Sequence, residues 1–358
     1  MAAMMRTGYW KKMKTALLAT VCTLSLLALA GYWYADGFRL DEQPLADPAS
    51  RSTDLAFVRA GVGESRGRIL AVLTSTATIG ASGKKAGFEL TELSRAYYVF
   101  VANGFEVDIA SPLGGKPPMR LDDELVAADY AFLNDAQAVA KLDRSVPLAQ
   151  VDPSRYAAVY FVGGKGAMFD FPGHREIQRI VGAVHDGGGV VGAVCHGPAA
   201  LLEVRLGSGR RLIEGKRMTG FSNDEELFLL KDARRLFPFL LQDRIAGHGA
   251  RYVEGPIYLD NTVVDGRLVT GQNPWSTWSV AESMVAAMGH APVPRERTSE
   301  EVGVRLLNIY YRDGRDAADR AKAHGAQADR RILLMHALVA AMQYRWSDAF
   351  HIQRLARP

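Results

Sequence analysis

Short apolar runs alternate with helical stretches through the middle of this chain, and this alternation limits the folds open to it more than any other feature. Each run is short enough to be a strand buried on both faces. Strand and helix in alternation predict right-handed βαβ units and a mostly parallel sheet covered by helices. The strand runs are 68–75, 105–110, 157–162 and 190–194, and the helical stretches between them are 89–103 and 174–186.

Later segments extend this pattern. Residues 261–264 and 267–270 flank Asp265-Gly266, which predicts a hairpin with a tight turn, and residues 276–288 predict a closing helix. We therefore predict a catalytic domain over 66–292. The polar segment 36–65 contains prolines and mixed charges and is typical of a linker. Residues 293–358 predict a helical C-terminal extension whose apolar stretch 332–342 is too short to cross a bilayer.

The N-terminus predicts contact with a membrane. Residues 1–14 form a basic segment containing Lys11, Lys12 and Lys14, and the uncharged residues 15–35 would span about 31 Å as a helix. The positive-inside rule keeps the lysines cytoplasmic and sends the rest of the chain to the periplasmic side. A transmembrane anchor is favoured, but Ala28-Leu29-Ala30 also fits a signal-peptide cleavage pattern, which would make the protein secreted.

Composition argues against several other classes of protein. The formal net charge is only +4, and part of it lies in the N-terminal basic segment, so nucleic-acid binding is not expected. There are two cysteines: Cys22 lies inside the N-terminal apolar segment and Cys195 in the predicted catalytic domain. We therefore expect no disulfide between them. His174, His185 and His248 lack metal-ligand spacing. We expect neither a metal nor a cofactor.

Cys195 stands where an apolar strand ends abruptly. The sequence from Val190 runs VVGAVCHGP, with small residues at Ala193 and Gly197 on either side of the cysteine. Such a strand-to-helix turn is typical of a nucleophile elbow, which presents a reactive side chain beyond the sheet edge. A helix beginning after the elbow would lower the pKa of the thiol. A buried, inert thiol is the less favoured alternative.

The elbow and five further motifs resemble the ThiJ/PfpI superfamily, which has the class I glutamine amidotransferase-like fold. The resemblance covers about 67–288 and is strongest to the glyoxalase III and heat-shock chaperone branch. It implies a flavodoxin-like three-layer α/β sandwich with a mostly parallel sheet. Besides 193–201 at the elbow, the motifs are GKKAGFELTE at 83–92, ASPLGG at 110–115, GGKGAMFD at 163–170, TGFSNDEE at 219–226 and TGQNP at 270–274.

The resemblance also implies roles for individual residues. Cys195 would be the nucleophile, His196 its proton-transfer partner and Glu226 the acid that orients the histidine. Glu92 matches the acid that this branch keeps beside the thiol. Gly164, in the Gly163-Gly164 loop, would contribute an oxyanion hole with the backbone N–H of His196.

Neighbouring carboxylates leave two of these assignments open. Glu225 and Asp224 compete with Glu226 for the histidine, because helix register is uncertain by a residue. Glu89 competes with Glu92, and the motif favours Glu92. The carboxylates that are not selected are expected to be ordinary surface residues.

The function implied by the resemblance is cofactor-independent, glyoxalase III-type conversion of methylglyoxal or related 2-oxoaldehydes to 2-hydroxy acids. A stress-related holding chaperone or deglycase-like repair factor is the first alternative. A cysteine hydrolase and a binding module with a relict site are the others. The expected partners are a small aldehyde substrate and the membrane, and the oligomeric state, a homodimer included, stays open.

Overall fold

Eleven strands occur in the described part of the chain. The computed structural model describes residues 18, 20, 21, 23–25, 29, 31–325 and 327–358. The strands are β1 (Arg68–Val72), β2 (Phe88–Glu89), β3 (Glu106–Ser111), β4 (Met119–Arg120), β5 (Val146–Pro147), β6 (Ala158–Phe161), β7 (Val190–Val194), β8 (Arg217–Met218), β9 (Arg251–Tyr252), β10 (Thr262–Asp265) and β11 (Leu268–Gly271).

Helices connect and cover these strands. They are α1 (Ala56–Arg59), α2 (Leu90–Ala102), α3 (Ala127–Leu133), α4 (Ala136–Asp143), α5 (Ala167–Asp170), α6 (Arg175–Asp186), α7 (Asn223–Leu229), α8 (Ala233–Leu236), α9 (Leu241–Gly247), α10 (Thr277–Ala287), α11 (Ser299–Asp313), α12 (Arg315–His324), α13 (Arg330–Met342) and α14 (Trp346–Leu355).

Seven strands form one sheet in the order β10-β11-β7-β6-β1-β3-β5. All neighbours are parallel except β10 and β11, which form the predicted antiparallel hairpin around Gly266. Every residue of β6 and β7 is buried. Helices on both faces explain why these strands are continuously apolar instead of alternating. The prediction of a mostly parallel α/β sheet is confirmed.

The directions of the crossover connections between strands determine where a ligand site can form on the sheet. The chain steps from β1 to β3 through α2, and from β6 to β7 through α6 in the opposite direction across the sheet. Because βαβ crossovers are right-handed, α2 and α6 lie on opposite faces. The five strands β3-β1-β6-β7-β11 thus have the 2-1-3-4-5 order of flavodoxin-like sheets. The connections diverge between β1 and β6, and ligands bind at such a point beyond the carboxyl ends of the strands.

The C-terminal extension is helical, and α11 to α14 share a small core. Leu307, Leu333 and Ile352 are buried in it, together with Phe38 from the N-terminal side. The segment predicted as a linker is therefore packed against the rest of the protein, because its apolar side chains complete this core. Asn134 also donates hydrogen bonds to two of its carbonyl groups.

The predicted membrane segment, 15–35, lies largely outside the described residues. Those described between 18 and 36 are helical, and their large apolar side chains are exposed. Among the described residues, no helix is both long enough and apolar enough to cross a bilayer.

A buried arginine joins the extension to the sheet domain. Arg95 on α2 pairs with Asp129 (Nη2–Oδ2 3.3 Å) and with Glu300 of α11 (Nη1–Oε2 2.8 Å), and its side chain is 1% exposed. Burial raises the pKa of Glu300 to about 7, while the Arg95 charge opposes that rise. The ion pair therefore matters most where Glu300 is ionised.

Replacing this arginine should destabilise the protein strongly. We expect Arg95→Met to lower the free energy of unfolding by about 3–5 kcal/mol, because it leaves buried carboxylates without a counter-charge. Denaturant unfolding of the full chain measures this change. Arg312→Met, which removes an exposed pair with Asp313, is the matched control and should leave the unfolding midpoint in place. Equal midpoints for wild type and Arg95→Met would contradict the prediction.

Candidate active site

Cys195 follows β7 directly and has a left-handed backbone conformation, with φ at 58°. A non-glycine residue in this region costs about 1–3 kcal/mol and persists only where the surroundings hold it. Here the Cys195 N–H donates to the carbonyl of Gly271 (2.9 Å), and its carbonyl accepts from the N–H of Phe221 (2.7 Å). The strained turn is the geometry that a nucleophile elbow requires.

Close backbone packing explains the small residue after the cysteine. A Cβ on Gly197 would lie 2.3 Å from the carbonyl oxygen of Phe161, so this position accepts only glycine. The helix that follows is a short 3-10 helix, Gly197–Leu201.

His196 lies between the thiol and a carboxylate. Its Nδ1 is 3.3 Å from the Cys195 Sγ, and its Nε2 is 2.6 Å from the Glu226 Oε2. The imidazole ring stacks on Phe221 with ring centroids 4.5 Å apart. All three residues of this chain of contacts are buried. The carboxylate fixes the imidazole orientation, and the imidazole can exchange a proton with the sulfur.

The structure places Glu226 at the histidine and gives its neighbours other positions. Glu225 forms a capping box with Ser222 and accepts hydrogen bonds from the Tyr258 N–H and the Asn273 amide, both at 2.8 Å. Asp224 is exposed. Only the Glu226 side chain, of the three candidates, contacts the imidazole.

Glu92 approaches the thiol from the first turn of α2 and is completely buried. Its Oε2 accepts a hydrogen bond from the Gly163 N–H at 2.7 Å, and its carboxyl group interacts with the Cys195 thiol. Burial raises the pKa of Glu92 to about 8. Its Oε1 is buried and has no hydrogen-bond partner in the described part of the chain.

The expectation of a lowered thiol pKa is wrong. Burial raises the pKa of Cys195 well above its usual range, a negative charge on Glu92 would raise it further, and a hydrogen bond from the Gly164 N–H opposes the rise. The short 3-10 segment does not outweigh removal of the sulfur from water. The thiolate must therefore form by transfer of its proton to a neighbouring group.

The two glycines of the 163–164 loop have different positions. Gly163 gives its N–H to Glu92, so it positions that carboxyl and is not a donor for a substrate oxygen. Gly164 has φ at 97°, and a Cβ there would lie 2.3 Å from the Gly87 carbonyl oxygen. Its N–H points to the Cys195 sulfur. Gly164 is therefore the loop residue placed to donate to an oxyanion formed at the thiol.

Glu89 is buried and is not the surface carboxylate that the sequence suggested. It lies at the start of α2, where its side chain accepts from the Asp122 N–H (3.2 Å). Burial, followed by the nearby charge of Asp123, raises its pKa to about 9. The cause is a short β2–β4 pairing that covers the helix start. No periodicity in the sequence signals a two-residue strand.

Two residues that support the site, Tyr160 and Phe221, were not predicted from the sequence. Tyr160 on β6 donates its hydroxyl proton to the backbone carbonyl of Glu92 at 2.8 Å, which fixes the helix turn that holds the carboxyl. Phe221 supports the imidazole as described above. Phe221 lies inside the 219–226 motif, so that motif could have pointed to it, whereas Tyr160 appears in sequence only as part of an apolar strand.

The catalytic candidates line one large cavity. Its volume is about 1200 Å³, and Glu92, Gly164, Cys195 and His196 form part of its wall. Among the described residues, no group of three or more His, Cys, Asp and Glu side chains is arranged to hold a metal ion. The side chains present can carry out nucleophilic addition and proton transfer.

The thiol should titrate at high pH. We expect the ultraviolet absorbance of the thiolate in the folded protein to appear above the pH at which free cysteine titrates, with Cys195→Ser as the baseline. Glu92→Gln should move the midpoint to lower pH, because it removes the negative charge that opposes the thiolate and keeps a hydrogen-bond donor. A wild-type midpoint below that of free cysteine, or one that Glu92→Gln leaves unchanged, would contradict this geometry.

The sequence of this chain is similar to those of known glyoxalases. The chain is 34% identical over 233 residues to glyoxalase 3 of Candida albicans, covering 62% of this chain and 98% of that protein. It is 34% identical over 239 residues to the glutathione-independent glyoxalase HSP31 of Saccharomyces cerevisiae, with the same coverage of 62% and 98%.

The fold of this chain is also similar to solved structures. The fold matches glyoxalase III from Candida albicans with a TM-score of 0.56 at 32% identity, over 63% of this chain and 98% of that structure. It matches Rapid Encystment Protein 24 kDa of Francisella tularensis with a TM-score of 0.59 at 33% identity, over 62% and 99%. The DJ-1/PfpI family model matches residues 84–287, which contain the elbow, both glutamates and the glycine loop. The chain belongs to the DJ-1/PfpI family.

Proposed function

We propose that this protein converts methylglyoxal or related 2-oxoaldehydes to 2-hydroxy acids without a cofactor, with Cys195 as the nucleophile. The observation that carries this proposal is the convergence of a thiol, a carboxylate-oriented imidazole and a buried carboxyl whose pKa is raised to about 8. The two curated relatives described above are named as glyoxalases, which supports the same chemistry here.

The first step forms a carbon–sulfur bond. His196 takes the thiol proton through Nδ1, and the sulfur adds to the aldehyde carbon of the substrate. The developing alkoxide receives a hydrogen bond from the Gly164 N–H and a proton from Glu92. Burial keeps Glu92 protonated until this moment, which is why its raised pKa suits the role.

The second step moves hydrogen between adjacent carbons. The Glu92 carboxylate removes the proton from the former aldehyde carbon, and the imidazolium protonates the neighbouring ketone oxygen, which gives an enediol. Glu92 then delivers its proton to the second carbon and recovers one from the hydroxyl of the first. The first carbon is oxidised to a thioester and the second is reduced to an alcohol, so no external oxidant or reductant is needed.

The last step releases the product. His196, held by Glu226, acts as the base for a water molecule that attacks the thioester. The carbon–sulfur bond breaks, the sulfur recovers its proton from the imidazolium, and the 2-hydroxy acid leaves. The net reaction is addition of one water molecule to the 2-oxoaldehyde.

The two alternative functions, a binding module and a holding chaperone, require different structural features. A binding module with a relict site would have no need of an imidazole held 2.6 Å from a buried carboxylate. A holding chaperone needs exposed apolar surface. Tyr344, Trp346 and Phe350 on the extension supply some of it. That surface is independent of the thiol, so a chaperone activity would survive Cys195→Ser, whereas the proposed reaction would not.

Product analysis tests the proposed function. We expect purified protein to form lactate from methylglyoxal and Cys195→Ser to form none. Glu92→Gln and Glu226→Gln should each lower kcat by about a hundred- to ten-thousand-fold, because proton transfer is lost. Asp224→Asn, two positions from Glu226 but exposed, is the matched control and should keep wild-type turnover. Full activity in Glu92→Gln, or no activity in wild type, would contradict the proposed mechanism.

We also propose that residues 66–292 are the catalytic domain and that they function on the extracytoplasmic side of a membrane, attached through 15–35 or released after cleavage. The lysines before the apolar segment support this orientation. A homodimer is compatible with the proposal and is not required by the site.

A topology reporter tests the orientation. A C-terminal reporter that is active only in the cytoplasm should stay silent on the wild-type chain. The combined variant Lys11→Gln, Lys12→Gln, Lys14→Gln removes the charges that set the orientation and should raise the reporter signal. Strong cytoplasmic signal from the wild-type chain would overturn the assignment.

A further inference from the structure

The cavity at Cys195 is larger than a three-carbon aldehyde needs. Its volume is about 1200 Å³, whereas pockets for drug-sized ligands occupy about 300–1,000 Å³. The catalytic side chains occupy only one part of its wall. The remainder of the cavity has no role in the proposed reaction of methylglyoxal.

Segments outside the family match build part of the remaining wall. Thr298 to Glu300 at the start of α11, Ile332 and Met335 on α13, and Pro44 and Leu45 from the N-terminal side all line the cavity. The family model ends at residue 287 and begins at 84. This part of the wall therefore belongs to the chain's own additions and not to the segment that it shares with the family.

These additions are held firmly in place. Glu300 pairs with buried Arg95, as described above. His336 on α13 is buried, and its Nε2 lies 3.1 Å from the carbonyl oxygen of Tyr258, another cavity residue. Arg330 donates to the carbonyls of Phe38 (3.1 Å) and Arg39 (2.8 Å), which ties the N-terminal side to α13. The added wall is thus a fixed surface against which a ligand can pack.

Part of the added wall is apolar. Ile332 and Met335 line the cavity together with Leu125, Val126, Leu230 and Trp275. Two ion pairs lie in the same lining, Arg331 with Glu124 and Arg120 with Asp122. An apolar group extending from the thiol would therefore lose contact with water without leaving these charges unpaired.

We propose that the substrates of this protein are 2-oxoaldehydes that carry an apolar tail, with the reacting carbons at Cys195 and the tail between α13 and the family domain. This inference rests on the proposed function and names its substrate class. The tail contributes binding energy that a methyl group cannot supply, so kcat/KM should rise with tail length until the cavity is filled.

A homologous substrate series tests the proposal on the full chain. Straight-chain alkylglyoxals from methylglyoxal to hexylglyoxal share the same reacting group. We expect kcat/KM to rise by up to about fourfold for each added methylene, the factor that corresponds to burying it. A flat or falling series, with methylglyoxal turned over, would overturn the inference and leave the proposed function standing. No turnover of any member would overturn both.

Variants of α13 locate the tail. Met335→Asp places a charge in the added wall and should reduce kcat/KM for hexylglyoxal at least about tenfold more than for methylglyoxal. Leu338→Asp, on the same helix but exposed and outside the cavity lining, is the matched control and should leave the series unchanged. An equal effect of Met335→Asp on both substrates would contradict the placement. The wild-type series decides the substrate class even if Met335→Asp does not fold.

Discussion

The burial of the Glu92 carboxyl against the Cys195 thiol is the interaction on which the rest of the site depends. Both acidic groups are buried, so at neutral pH both favour their protonated forms. Three features position this pair. The left-handed backbone turn places Cys195, the Gly163 N–H donates to the Glu92 carboxyl, and the Tyr160 hydroxyl donates to the Glu92 backbone carbonyl. A reaction that begins with proton transfer from sulfur and ends with its return suits such a site.

The flavodoxin-like order of the sheet explains how distant segments reach this point. The connections after β1 and β6 diverge, and β7 ends beside them, so α2, the glycine loop and the elbow meet above one sheet edge. The extension then closes the far side of the cavity through the Arg95–Glu300 pair. Because Arg95 lies one turn after Glu92 on α2, the same helix carries the site and anchors its outer wall.

Much of this arrangement could be predicted from the sequence, and the limits have physical causes. Apolar runs with clear ends predicted the strands, and the residues around Cys195 predicted the elbow. Helix register could not choose among the acids at 224–226, which only the three-dimensional packing separates. The burial of Glu89 and the raised pKa of Cys195 depend on desolvation by segments far away in the chain. A local motif carries no information about such desolvation.

The proposed mechanism requires Glu92 to be a neutral, protonated carboxyl beside the thiol at neutral pH. Infrared difference spectroscopy of wild type against Glu92→Gln measures this directly, because a protonated carboxyl has a carbonyl stretch separate from that of a carboxylate. We expect a protonated-carboxyl band in wild type that disappears in Glu92→Gln and, in wild type, fades as the pH rises through about 8. A difference spectrum that shows only carboxylate bands at neutral pH would contradict it.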